Sequence, residues 1–134
     1  MKKVIGIFSA LLIICSMAYG VEMDSKEFLA YSVVNTTGSP TLTFVPTTSI
    51  YPSDRILGYE VSNYSDNVNG NHEVYCTVYD SDGAAIEVTD EQIGESESIS
   101  GDSLCNWFPY PRNLSYGIGV IQGSQTVVTI YFER

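Results

Sequence analysis

The sequence predicts an all-β chain, an immunoglobulin-like or related antiparallel β-sandwich of about seven or eight strands. Three observations predict it. Beyond the first twenty residues the chain is rich in Thr, Val, Tyr and Ile, which suit a pleated, half-buried surface. Turn residues recur about every eight to twelve positions, the spacing of a sandwich or barrel. No heptad pattern and no internal repeat is present, and a helix is conceivable only over residues 23–30.

Residues 1–20 read as a cleavable export signal. Lys2 and Lys3 form a basic start, and residues 4–14 form an apolar run too short to span a bilayer. Ala18 and Gly20 place small residues where a signal peptidase reads, so cleavage is expected after Gly20, with Ala18 the close alternative. Ile14 before Cys15 argues against a lipid anchor. Residues 21–134 then form a single sandwich domain, periplasmic or secreted, with no membrane insertion after cleavage. Removing Lys2 and Lys3 leaves four basic side chains against 16 acidic ones, a net charge near −12. Such a charge repels nucleic acid and anionic membrane surfaces.

Residues 28–34 read as the first strand, ended by the turn-forming run 35–40. Residues 41–45 form a second strand, and residues 55–61 a third after a loop bracketed by Pro46 and Pro52. Residues 63–71 are polar and read as a long loop. Residues 73–79 alternate cleanly: Val74, Cys76 and Val78 share one face, and Tyr75, Thr77 and Tyr79 the other. Asp80-Ser81-Asp82-Gly83 reads as a hairpin turn returning through residues 84–88. The acidic, Ser-rich stretch 89–102 is expected to be a loop with at most one short strand. Residues 114–121 and 126–132 are expected to pair across the turn 122–125. The last of these is apolar on both faces and should be covered on both, with Glu133 and Arg134 as charged gatekeepers.

Two cysteines follow the signal, Cys76 and Cys105. An even pair in an oxidising compartment predicts a disulfide. Closing a loop of that length is worth about 3.6 kcal/mol in the chain-entropy model.

No cofactor or metal site is expected. Asp80, Asp82 and Gly83 begin like a calcium loop, but Ala84 stands where the next ligand should be and the glycine comes too early. One histidine, His72, leaves too few nitrogen donors for zinc or copper. Gly101-Asp102-Ser103-Leu104 spells the signature of the GDSL esterases. That chemistry needs a base beside the serine, which the family supplies from a downstream histidine; His72 lies upstream, and the helix–strand alternation of the family's fold is missing. Asn35, Asn63 and Asn113 head Asn-x-Ser/Thr triplets, a number close to chance.

Residues 106–113 are expected to form a loop, which holds the single tryptophan, two prolines and a lone cation. An aromatic surface with one positive charge suits stacking and a polar contact, so Trp107, Tyr110 and Arg112 are the expected ligand contacts, Trp107 alternatively anchoring the core beside the disulfide. Without a catalytic set, the chain reads as an exported non-enzymatic binding or interaction module for a protein or glycan partner. A structural surface or pilus-type subunit is the alternative. It would need a free alternating extension, and residues 21–27 are mostly polar. A small hydrolase resting on Ser103 or a carboxylate pair is the third reading.

Overall fold

The computed structural model describes residues 26–63, 74–98 and 103–134. The expected export signal with Cys15, most of the polar loop 63–71, His72, Gly101 and Asp102 lie outside them. The strands are β1 (Phe28–Asn35), β2 (Thr41–Phe44), β3 (Arg55–Asn63), β4 (Val74–Asp80), β5 (Glu91–Ser98), β6 (Leu104–Asn113), β7 (Ile118–Gln122) and β8 (Thr126–Glu133). Phe28–Asn35 is extended, so the helix conceivable over 23–30 is not formed in the part described.

The strands form two antiparallel sheets of four, ordered β1-β8-β3-β6 and β2-β7-β4-β5. The ladders join β1 to β8, β2 to β7, β3 to β6 and β4 to β5. The chain is one long antiparallel ribbon with the β4–β5 connection at its tip. It is rolled so that β8 also pairs with β3, and β7 with β4. This is the strand order of an eight-stranded jelly roll. A constant-type immunoglobulin domain keeps its first two strands side by side in one sheet. Here β1 pairs with β8 while β2 lies in the opposite sheet, so the immunoglobulin-like part of the expectation is not met.

Alternation decides what each sheet buries. Val33, Ile56, Tyr59, Val61, Val128, Ile130 and Phe132 of the first sheet meet Val74, Cys76, Val78, Ile93, Ile118 and Val120 of the second in one core. Tyr59 spans that layer. Its hydroxyl accepts hydrogen bonds from Ser96 Oγ on β5 and Asn106 Nδ2 on β6. Gly94 makes room for its ring, since a Cβ there would come within 3.0 Å of it. Beyond β8, Arg134 forks onto the buried Asp54 carboxylate at 3.0 and 2.8 Å and lies over the Tyr51 ring. The Arg134 hydrogen bond, helped by the Tyr51 N–H, holds Asp54 below the usual carboxylate range against the opposing effect of burial.

Three expectations about connections are corrected. Residues 84–88 form no strand; the partner of β4 is β5, within the acidic stretch. The intervening loop bonds to itself instead: Asp82 Oδ1 accepts the Ala84 N–H, Ser81 Oγ donates to the Ala85 carbonyl, and Asp90 accepts the Glu87 N–H. Residues 106–113, expected as a loop, lie within β6 (Leu104–Asn113). Finally, β7 and β8 do not pair, because the chain crosses between sheets at 123–125. The Gly123 N–H donates to the Tyr75 carbonyl and the Gln125 N–H to the Thr37 carbonyl. Buried Gln122 and Asn35 fix the crossing from inside by donating to the Thr126 and Gly123 carbonyls.

Candidate functional site

β6 is an edge strand, and the edge is broken in its middle. Trp107 pairs with Gly58 and Arg112 with Ile56, so residues 108–111 bulge out opposite Leu57 alone. Pro109 and Pro111 fall in this bulge. A proline has no N–H to give a ladder, so it belongs at an edge, where it also discourages strand addition by another molecule.

Along β6, Leu104, Asn106 and Phe108 turn inward while Cys105 and Trp107 turn out. Trp107 is 57% exposed. It lies across Gly58 and reaches Tyr131 on β8, with ring centroids 4.8 Å apart and planes tilted by 31°. Gly58 permits this. A Cβ there would meet the Asn106 carbonyl oxygen at 2.4 Å and the indole Cε3 at 3.0 Å. The missing side chain lets the indole bridge to Tyr131, a pair worth about 0.5–1.5 kcal/mol beyond its buried area. The result is a two-ring platform on the outer face of the first sheet, its upper surface open to solvent.

The next outward row carries oxygens. Glu60 accepts the Ser103 hydroxyl at 2.6 Å on Oε1 and the Tyr131 hydroxyl at 3.0 Å on Oε2. That carboxylate hydrogen bond, with a smaller contribution from burial, raises the Tyr131 phenol above the ordinary tyrosine range. Glu60 pairs with Thr129, and Thr129 with Ser32, whose hydroxyls are 2.9 Å apart. Ser103 thus meets a carboxylate acceptor, and His72 lies outside the described residues.

The three expected contacts are not brought together equally. Trp107 joins the platform. Tyr110 projects from the bulge, 82% exposed. Arg112 turns elsewhere, 5.0 Å from the Phe108 ring and 3.7 Å from Glu91 on β5. Glu60, Tyr131 and Gly58 were not singled out in the sequence. The readable signal was Gly58, a glycine in the interior of a strand, which marks a close approach from outside.

The disulfide is corrected. Cys76 is buried on the inner face of β4 and Cys105 is exposed on the outer face of β6 in the other sheet; both are free thiols. A sheet and the core layer lie between their side chains, and packed sheets stand about 10 Å apart, beyond disulfide reach. Burial pushes the Cys76 thiol up to about 12, so it is inert at neutral pH. Trp107 therefore does not pack on a disulfide.

Asp80 has a structural role. Its carboxylate accepts the N–H groups of Ser115, Tyr116 and Gly117 at 2.5, 2.9 and 3.1 Å. Asn35 is buried, and its amide donates to the Ser39 and Gly123 carbonyls, so its triplet is closed to glycosylation. Among the described residues no group of three or more His, Cys, Asp or Glu side chains is arranged to hold a metal ion. No family model, curated protein or solved structure matches the chain.

Proposed function

We propose that this chain is an exported, non-enzymatic binding module whose ligand lies on the outer face of the β1-β8-β3-β6 sheet, over Trp107 and Tyr131. The observation that carries the reading is the exposure of Trp107 in a fixed position. A large aromatic left open to water forgoes burial worth about 1.5–3 kcal/mol. Here it is also held in place by a glycine and a second ring. A preformed aromatic surface beside hydrogen-bonding groups is the usual make-up of a recognition site. Export is carried by the amino-terminal pattern of the sequence.

The single tryptophan is its own reporter. Its emission should be red-shifted and readily quenched by acrylamide in the native protein. A ligand recovered by affinity capture should shift that emission, and Trp107→Ala should weaken capture about ten-fold with the folded state intact by circular dichroism. Capture that survives Trp107→Ala undiminished and leaves the emission unmoved moves the site elsewhere.

A further inference from the structure

The chemistry of the face identifies a class of ligand. Each hydroxyl that donates to Glu60, from Ser103 and from Tyr131, spends its one hydrogen there and keeps lone pairs that can accept. Of the two O–H groups of the Thr129–Ser32 pair, one bonds across the pair and the other stays a donor. The strip beside the platform therefore offers several acceptors and, from that pair, one donor, so its ligand must bring hydrogen-bond donors of its own. Charge narrows the choice. Lys26 and Arg55 pair with Glu133, Arg112 with Glu91 and Arg134 with Asp54. These are all the cations among the described residues, and each already has a carboxylate within 4 Å that an anionic ligand would have to compete with. The carboxylates of β5, Glu91, Glu95 and Glu97, stand on the other sheet, which leaves one carboxylate beside the rings to attract a cation. A protein partner would bury about 800 Å² around an apolar centre. Here the polar row of Glu60 and Thr129 separates Trp107 from the exposed Val34 at the far edge.

We propose that this face binds a neutral polysaccharide, a pyranose ring laying its C–H face on the Trp107 indole while its hydroxyls donate to the oxygens around Glu60. Sugars join an apolar ring face to equatorial donors within one residue, as the platform and the oxygen row are joined here. The inference rests on the reading of this face as the binding site.

Affinity electrophoresis of the purified protein through gels holding a β-glucan, a xylan, a mannan or a dextran tests it, with polygalacturonate and polylysine as charged comparisons. At least one neutral polymer should retard the wild type. Trp107→Ala should weaken retardation about ten-fold, as loss of one stacking contact does. Glu60→Gln should weaken it about three- to five-fold. Val88→Ala, on the far β4–β5 loop, should match the wild type. Retardation by no neutral polymer overturns the inference. Binding of a charged polymer alone, lost in Trp107→Ala, overturns the sugar and keeps the face. Retardation by a neutral polymer that Trp107→Ala leaves intact overturns both.

Discussion

Each sheet carries a glycine on its outer face beneath larger side chains, and the two sites have opposite fates. On the second sheet, Gly119 of β7 lies under Phe44 of β2 and Ile86 of the β4–β5 loop, whose carbons come within 3.3 Å of where its Cβ would stand. The loop folds back and covers it. On the first sheet, Gly58 lies under Trp107, and no described residue covers Trp107 in turn. The same device, a gap in a strand filled from above, closes one face and leaves an aromatic on the other. A jelly roll has two outer faces, and covering one of them with its own loop leaves the other for a ligand.

The largest expected effect comes from filling the two gaps. At Gly58 the obstacle is the backbone oxygen of Asn106, so Gly58→Ala must push β6 away from β3. It should cost about 2–3 kcal/mol in urea unfolding, at the upper end of overpacking, and should move the tryptophan emission. At Gly119 the nearest atom is the tip of Ile86, a side chain on a loop, which can swing aside. Gly119→Ala should cost less than about 1 kcal/mol and leave the emission alone. Equal costs would mean that the two gaps are not built differently.

A smaller effect is expected where the covered face is tied down. Asp80 fastens the turn at 115–117 beside the loop, and the Ser81 N–H donates to the Gly117 carbonyl. Asp80→Ala leaves three backbone donors without their acceptor. It should cost about 2 kcal/mol, the scale of hydrogen bonds to a charged group. Hydrogen exchange should accelerate at 115–117 and across 81–90 while β3 and β6 stay protected. Acceleration at β6 as well would couple the two faces that the comparison separates.

The strands with clean alternation were legible. Val74, Cys76 and Val78 point inward as their spacing indicates, and Val128, Ile130 and Phe132 do the same on β8. β5 was hidden by its composition, because Glu, Ser and Gly are poor strand formers. It lies at an edge, where outward charges such as Glu95 and Glu97 keep other strands off. Prolines hid β6 for the same reason. The sheet to which each strand belongs depends on pairings between distant residues, Tyr31 with Ile130 for instance, and short-range patterns carry no record of them. Trp107 was legible as a candidate, whereas its partners Glu60 and Tyr131 reach it only through the sheet.

The smallest expected effect is none, and it tests the open face most directly. Cys105 and Trp107 stand two residues apart on β6, so they share a face. A bond from Cys105 to the inward-facing Cys76 would require Cys105 to turn inward. A one-residue shift of β6 would achieve that, and it would carry Trp107 into the core with it. The disulfide and the aromatic platform are therefore mutually exclusive states of one strand. With the thiols free, dithiothreitol should leave the urea midpoint unchanged. Ellman's reagent should titrate Cys105 rapidly in the native protein and Cys76 only after unfolding, since burial keeps its thiol protonated and out of reach. The bonded state would instead lose about 3.6 kcal/mol on reduction, show no native thiol, and give a blue-shifted tryptophan shielded from acrylamide. Those three results together would place β6 in the opposite register and remove the binding face. The redox titration and the quenching measurement must therefore agree.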